Sequence, residues 1–165
     1  MEAVSIGAVV FLAYIVAQRL IELVIAKRNT RALLEQGAVE HFPRHYPLIV
    51  AVHAGWIAAM VVFGHDNPLN LAWLAVYAVL QLVRVYILTS LGHRWTTRII
   101  VLPDAPLVKR GAYARLPHPN YLLVIAEIFV APMVLGLVGV AAVFSMLNAA
   151  ILVVRVSAEE SVLRR

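Results

Sequence analysis

Five apolar runs alternate with polar segments along the chain. The runs cover residues 3–26, 46–63, 69–91, 121–138 and 140–154. A helix needs about 20 apolar residues to cross the hydrocarbon core of a bilayer, and the chain has the length of one domain. The pattern therefore predicts an all-α, polytopic membrane protein whose single domain, residues 1–165, has five transmembrane helices.

The last two runs are short for two separate spans joined by a full loop. Pro132 is expected to kink the fourth helix, and Gly136 and Gly139 favour a tight turn between the fourth and fifth helices. We therefore expect these helices to form a closely packed hairpin.

The first run is interpreted as a helix rather than a cleaved leader, because no basic residue precedes it and it exceeds the roughly 7 to 15 apolar residues of a signal peptide.

The composition supports a membrane protein and excludes several kinds of site. Hydrophobic residues make up 62% of the chain and charged residues 14%, against about 25% charged residues in soluble domains. The sequence contains no cysteine, which excludes disulfides, thiolate metal sites and cysteine nucleophiles. The net charge of +5 comes from short basic clusters between apolar runs. That distribution favours anionic membrane lipid over nucleic acid as a partner.

The basic residues also predict the orientation of the helices. Most of them lie in the two long connections, residues 27–45 and 92–120, whereas the two short links contain no Lys or Arg. The polar tail, residues 155–165, also contains Arg residues. Basic segments stay on the cytoplasmic side of a membrane, so the N-terminus is expected outside and the C-terminus in the cytoplasm.

Ionisable residues inside the apolar runs need partners. Arg19 and Glu22 share one face of the first helix and can form a pair. Glu127 lies two turns into the fourth run, where a lone carboxylate is unfavourable, so we expect it to pair with Arg84 or with a cationic ligand. His53 has two interpretations, a ligand contact or a hydrogen bond to a neighbouring helix.

The segment 111–121 and the tail bring together the residue types most suited to binding a ligand. The sequence has no phosphate-binding Gly-rich loop, no pair of His residues spaced for zinc on one helix, and no nucleophile elbow. What remains is a set of acids for a cationic group and of His and Arg for a carboxylate, which suits a zwitterionic ligand. Plainer interpretations stay open, since the tyrosines can be interfacial aromatics and the tail a solvated helix end.

The joint pattern of these residues resembles the isoprenylcysteine carboxyl methyltransferase family of integral membrane methyltransferases, which also groups with phospholipid N-methyltransferases. The matching residues are Gly111, Tyr113, His118, Pro119, Tyr121, Glu127, Arg155, Glu159, Glu160 and Leu163. The first three helices match the family only in number and hydropathy. Two positions depart from its pattern: Ala112 replaces a Pro, and Pro117 replaces an Arg for which Arg115 is the candidate substitute.

The resemblance implies S-adenosylmethionine as cofactor, held at the cytoplasmic end of the last helices by the connection 92–120 and the tail. It implies a site without metal, in a protein of the bacterial inner (plasma) membrane. Arg155 and Glu160 are predicted to face the methyl acceptor as the catalytic pair. The predicted cofactor contacts are Tyr113, His118, Pro119, Tyr121, Glu127 and Glu159.

The implied function is methyl transfer to a lipophilic acceptor that enters from the bilayer. The acceptor is either an isoprenylcysteine-like carboxylate, already ionised at neutral pH, or the hydroxyl of an alkylpyrone or alkylresorcinol polyketide. A hydroxyl requires proton removal, for which His118 and Glu160 are the candidates. The alternatives are a phospholipid N-methyltransferase and a non-catalytic membrane scaffold or lipid-binding protein.

Overall fold

Helices make up nearly all of the fold. The computed structural model describes residues 5–103, 105–106 and 108–163. Its α-helices are α1 (Ile6–Glu35), α2 (Tyr46–Gly64), α3 (Leu71–Leu91), α4 (Pro119–Val134) and α5 (Val138–Leu163). Single-turn helices lie at Pro43–His45, Gly92–Arg94 and Gly111–Ala114. The prediction of a helical protein is confirmed.

One feature was not predicted, a short antiparallel ribbon between the two long connections. Its strands are β1 (Val39–His41) and β2 (Ile99–Val101). The ion pair between Arg98 Nη1 and Glu40 Oε1, 2.7 Å apart, links the two connections at the same place. The polar connections are therefore folded onto each other rather than extended into solvent.

Four of the five helices are long and apolar enough to cross a membrane. These are α1, α2, α3 and α5, whereas α4 has only 16 residues. The fourth run was predicted to reach residue 138, but α4 ends at Val134 because Pro132 lies in its last turn and Gly136 adopts φ +70°. A tight turn at residues 135–137 leads directly into α5, and the two helices pack against each other.

Two helices continue further than their apolar runs. α1 was predicted to end near residue 26 but extends to Glu35, where the ion pair between Arg31 and Glu35 supports its last turn. Gly37, with φ +89°, follows the helix and ends it. α5 likewise extends through the predicted tail to Leu163. Residues 3 and 4 of the first predicted span, and Arg164 and Arg165 of the tail, lie outside the described residues.

The alternating course of the helices brings both long connections to one end of the bundle, here called the polar end. There Asn29 of α1 donates through Nδ2 to the carbonyl of Trp95, at 2.8 Å. At the opposite end, Asn67 Nδ2 donates to the carbonyl of Leu135, and Asn70 N donates to that of Val134, both at 2.8 Å. The core lies between α1, α2, α3 and α4 around the buried Trp56, whereas much of the outer surface is apolar and exposed.

Candidate functional site

Five of the predicted site residues form one connected cluster at the polar end. The hydroxyl of Tyr121 donates to the carboxylate of Glu159 and accepts from Arg155 Nε at 2.9 Å. The guanidinium of Arg155 lies 5.3 Å from the centre of the Tyr121 ring, and the ring of His118 stacks on Tyr121 at 5.2 Å. His118 Nε2 lies 3.9 Å from Glu160 Oε1. The sequence prediction that these groups lie together is confirmed.

The start of α4 and the end of α5 position this cluster. Pro119 begins α4, where the missing N–H of proline leaves no helical hydrogen bond unmade. His118 precedes it at the N-cap, and Tyr121 lies in the first turn, so both rings emerge at the polar end. On α5, Arg155 and Glu159 are four residues apart and therefore share a face. One helix end thus supplies the rings and the other supplies the charges.

Gly111 attaches the preceding loop to α3. Its φ of +55° is favourable only for glycine, and a Cβ at this position would collide with Ser90 Oγ. The hydroxyl of Ser90 also accepts a hydrogen bond from Ala112 N at 3.3 Å. This contact fixes the loop that carries Tyr113. Burial and the nearby carboxylate of Glu159 both raise the pKa of Tyr113, so its phenol stays protonated and can donate a hydrogen bond.

A cavity of about 460 Å³, here called the polar cavity, opens beside this cluster. Six predicted site residues line it: Tyr113, His118, Tyr121, Arg155, Glu159 and Glu160. Strand β2 forms part of its wall through Ile99, Ile100 and Val101. The remaining polar and aromatic lining comes from residues not predicted as site residues: Arg94, Trp95, Thr96, Arg98, Lys109 and Asn120.

Three residues considered from the sequence line neither of the two cavities described here. Pro119 is buried at the start of α4, where it is the first residue of the helix. Arg115 is exposed, so the structure does not support it as the substitute for the family Arg at Pro117. Glu127 is fully buried and separate from the cluster at Tyr121. Its role as a cofactor contact stays a prediction.

Glu127 instead belongs to an ion-pair cluster between α1, α3 and α4. Its carboxylate accepts from Arg84 Nε at 2.7 Å and from Arg19 Nη2 at 3.1 Å. Glu22 accepts from Arg84 Nη1 at 2.6 Å and from Arg19 Nη1 at 3.0 Å. Gln81 adds a bond to Glu127 at 3.1 Å. The predicted pairs Arg19–Glu22 and Arg84–Glu127 are both confirmed, and two guanidiniums balance two carboxylates.

A second cavity, of about 420 Å³, lies on the bundle side of the first and is mainly apolar; it is here called the apolar cavity. Its walls come from one face each of α1, α2 and α5, together with the beginning of α4. The two cavities share the residues Trp95, Thr96, Asn120, Tyr121 and Arg155. This shared wall is where ligands in the two cavities would meet.

Polar atoms without partners mark the shared wall. Among the described residues, Trp95 Nε1 and Asn120 Oδ1 are buried and have no hydrogen-bond partner. Buried polar groups are usually satisfied, so such pairs of atoms need an explanation. The indole N–H is a donor and the amide oxygen an acceptor, and a polar ligand at the wall can satisfy both.

Sequence reasoning missed Trp95, Thr96 and Asn120 of the shared wall because such residues have other common roles. A tryptophan near a helix end is commonly an interfacial aromatic, yet Trp95 is only 5% exposed. Arg94 and Arg98, which line the polar cavity, were counted only among the basic residues that predict the orientation. Asn120 lies between the motif residues Pro119 and Tyr121, and its place within the motif could have identified it as a site residue. The hydrogen bond of His53 goes from Nδ1 to the carbonyl of Ile49 in its own helix, at 2.9 Å, and not to a neighbouring helix.

Comparisons with known proteins give two relatives and one family for the chain. The chain is 36% identical over 159 residues to the uncharacterized protein YpbQ of Bacillus subtilis (strain 168), which covers 93% of this chain and 94% of that protein. It is 28% identical over 119 residues to an uncharacterized protein of Haemophilus influenzae, covering 67% of each. No solved structure matches the chain. Residues 73–165, which include α4, α5 and the polar cluster, match the isoprenylcysteine carboxyl methyltransferase (ICMT) family. The chain therefore belongs to this family of membrane methyltransferases.

Proposed function

We propose that the chain transfers the methyl group of S-adenosylmethionine to an oxygen atom of a lipophilic acceptor. The observation that carries this proposal is the pair of cavities that meet at Trp95, Thr96, Asn120, Tyr121 and Arg155. One cavity has the more polar lining, with several charged side chains, and opens at the polar end, whereas the other is mainly apolar and lies between helices. A polar methyl donor and an apolar acceptor each find a suitable surface, and their reactive atoms meet at the shared wall.

The polar cavity fits the proposed cofactor in size and in charge. A volume of about 460 Å³ is within the roughly 300 to 1,000 Å³ of ligand pockets. Glu159 and Glu160 can hold an ammonium group, while Arg94 and Lys109 can hold a carboxylate. Aromatic faces also attract a cation such as a sulfonium, and Tyr113 is a further aromatic residue that lines the cavity. When bound, S-adenosylmethionine supplies the electrophilic methyl group.

Arg155 is the residue best suited to orient the acceptor. Its Nε is fixed by the hydroxyl of Tyr121 at 2.9 Å, and its side chain lines both cavities. The other guanidinium N–H groups can hold an acceptor oxygen near the methyl donor, so catalysis would come mainly from positioning and exclusion of water. A carboxylate acceptor needs no base. A hydroxyl acceptor would lose its proton to Glu160 or His118, which lie close together.

The acceptor is proposed to enter the apolar cavity from the bilayer. Apolar residues of α1 and α2, such as Leu20, Leu23 and Val50, line it, so an alkyl or isoprenoid tail can remain in contact with lipid. The two O-methylation candidates are an isoprenylcysteine-like carboxylate and an alkylpyrone or alkylresorcinol hydroxyl. Methylation of a phospholipid amine is the alternative reaction, for which the cation Arg155 at the wall is a less suitable neighbour.

Five membrane spans and a cytoplasmic site are part of the same proposal. α4 is short, but it begins at the polar end and ends beside the α2–α3 link, as the bond from Asn70 N to the carbonyl of Val134 indicates. Both long basic connections lie at the polar end, which favours a cytoplasmic location for it. The N-terminus would then be outside, in a protein of the bacterial inner (plasma) membrane.

Binding of S-adenosylhomocysteine, the product of methyl transfer, tests this function. We expect isothermal titration of the detergent-purified chain to detect binding, and His118→Ala to weaken it at least about tenfold because the ring stacked on Tyr121 is lost. The matched control is His65→Ala, an exposed histidine at the opposite end of the bundle, which should bind like the wild type. Folded wild-type protein that binds none would rule out the proposal and favour a non-catalytic lipid-binding protein.

A further inference from the structure

Two polar side chains interrupt the apolar cavity between α2 and α5. His53 of α2 and Asn148 of α5 both line it. Asn148 is only 3% exposed, and within the described part of the chain its amide makes no hydrogen bond, nor does Nε2 of His53. An amide that faces a mainly apolar cavity inside a membrane bundle without a protein partner is unfavourable unless a ligand binds it. Neither residue has a part in the proposed methyl transfer at the shared wall.

The contact of His53 with its own helix fixes what the ring can offer a ligand. Its Nδ1 lies 2.9 Å from the carbonyl oxygen of Ile49. A carbonyl only accepts, so Nδ1 carries the hydrogen, and Nε2 of the neutral ring is left as an acceptor. Asn148 offers both a carbonyl oxygen and an NH₂ group. Together they can accept a hydrogen bond from a hydroxyl and donate one to its oxygen.

The two side chains lie at the same depth. α2 and α5 run in opposite directions, and a Cβ placed on Gly55 would lie 3.5 Å from Phe144 Cε1, which sets their relative height. His53 is two residues nearer the polar end than Gly55, and Asn148 is four residues nearer it than Phe144. At about 1.5 Å per residue, the two positions differ by only about 3 Å in height.

This level is close to the shared wall. α2 and α4 run in the same direction, and Trp56 Nε1 donates to the carbonyl of Ile128 at 3.2 Å. His53 lies three residues before Trp56 on α2, and Tyr121 lies seven residues before Ile128 on α4. At about 1.5 Å per residue, His53 is therefore about 6 Å, or roughly one helical turn, further from the polar end than Tyr121. A small ring substituted at two positions can therefore reach both the wall and the pair His53–Asn148.

The charged groups that line this cavity pair mainly with one another. Arg19, Glu22 and Arg84 bond to one another and to Glu127 in the ion-pair cluster. Their charges balance, although Nε of Arg19 is buried without a hydrogen-bond partner among the described residues. Below the wall, His53 and Asn148 are the uncharged side chains that can together accept a hydrogen bond from a ligand and donate one to it.

We infer that His53 and Asn148 form a second recognition point, which binds a hydroxyl that the acceptor carries in addition to its reacting oxygen. The inference rests on the proposed methyl transfer and narrows its acceptor to a ring with two oxygen functions and an apolar chain. His53 and Asn148 are positioning residues, because they hold the acceptor without touching the methyl group. An acceptor with only one oxygen function leaves both side chains without hydrogen-bond partners and binds more weakly.

Two probes that differ by one hydroxyl test the inference. They are an alkylresorcinol and the alkylphenol with the same chain, titrated into the detergent-purified full chain saturated with S-adenosylhomocysteine. We expect the wild type to bind the alkylresorcinol about tenfold more tightly, the size of effect expected for one buried hydrogen bond. The KM values for methyl transfer should differ in the same direction, with similar kcat.

Matched variants identify the residues responsible. His53→Asn keeps a donor for the Ile49 carbonyl and removes the acceptor at Nε2, so the preference should fall to about twofold or less. His53→Gln places an amide oxygen near the position of Nε2 and should retain most of the preference. Asn148→Leu should lose it without lowering the melting temperature of the protein free of acceptor, because an unsatisfied amide is removed. Val143→Leu, on the exposed outer face of α5 and away from both cavities, should change nothing.

Equal affinity of the wild type for both probes would overturn the inference, and so would a preference that survives both His53→Asn and Asn148→Leu. A lower melting temperature of Asn148→Leu without acceptor would assign Asn148 a structural role instead, contrary to the inference. Failure of the proposed function looks different, because the wild type would then bind no S-adenosylhomocysteine and methylate neither probe.

Discussion

Tyr121 is the residue through which the two cavities are connected. Its ring is stacked by His118, and its hydroxyl links Arg155 with Glu159. A single phenol thus fixes both the cation proposed to face the acceptor and the acid proposed to contact the cofactor. Loss of the hydroxyl would leave both charged groups free to rotate while the ring remains in place.

We therefore expect Tyr121→Phe to lower kcat/KM by about tenfold to a hundredfold, the effect of losing hydrogen bonds to charged groups. Affinity for S-adenosylhomocysteine should change less, because the stacking surface is retained. Initial rates with labelled cofactor, together with titration of S-adenosylhomocysteine, measure the two effects. Tyr14→Phe is the control, since Tyr14 is exposed and its hydroxyl bonds only Gln81, at 3.3 Å. Full activity of Tyr121→Phe would show that Arg155 is positioned without this hydroxyl.

At the scale of single residues, the sequence predicted the polar cluster better than the lining of the cavities. Arg155, Glu159 and His118 were identified because together they match the spacing of the family motif. Asn148 could not, because an Asn in an apolar helix is indistinguishable from one that bonds a neighbouring helix. Only its burial beside a cavity, without a partner, gives it significance.

The ion-pair cluster of Arg19, Glu22, Arg84 and Glu127 joins three helices. Arg84 is central to it, since it bonds both carboxylates and is itself 4% exposed. The cluster as a whole can be replaced by apolar groups at little loss, but removing one partner leaves a buried charge. It therefore aligns α1, α3 and α4 beneath the shared wall.

Arg84→Met should destabilise the folded chain by about 3 to 5 kcal/mol, because Glu22 and Glu127 would each lose a cation in a buried site. Thermal unfolding in one detergent measures the loss. Arg31→Met is the matched control, since its pair with Glu35 is exposed and should contribute little. The double variant Arg84→Met with Glu127→Gln should recover part of the stability. Unchanged unfolding of Arg84→Met would contradict a structural role for the cluster.

At the scale of elements, hydropathy predicted which segments are helical but not where the helices end. An apolar run marks the thickness of the hydrocarbon layer, whereas α1 and α5 continue into water until a glycine or other stop intervenes. The ribbon of β1 and β2 was missed for a related reason. Its strands have three residues each, too few to establish an alternating pattern, and each depends on a partner far away in the sequence.

At the scale of the whole molecule, the two cavities are lined largely by different parts of the chain. Residues 73–165 match the family and contribute His118, Tyr113 and the acids of the polar cavity. α1 and α2 lie outside that match and supply much of the apolar cavity, including His53. For an acceptor bound in the apolar cavity, as proposed, we therefore expect selectivity to depend largely on the part of the chain that the family match does not cover.

The proposed orientation can be tested because the chain contains no cysteine, so each introduced thiol is the only one. We expect His65→Cys, in the α2–α3 link, to react with a membrane-impermeant maleimide from outside, and Lys109→Cys to react only from the cytoplasm. Both positions are exposed. Val143→Cys, on the apolar outer face of α5, should react from neither side. Labelling of the first two from the opposite sides would reverse the orientation.

Whether α4 crosses the membrane requires one more position, at the far end of that helix. Gly139 is exposed at the start of α5, its φ is not positive, and a Cβ there would meet no atom within 4 Å, so Gly139→Cys should fold normally. If α4 spans, Gly139→Cys reacts from outside, like His65→Cys. At 16 residues, or about 24 Å, α4 can span only where the bilayer is thin or where neighbouring helices cover its ends. Reaction of Gly139→Cys from the cytoplasm alone would leave four spans and exclude the five-span topology.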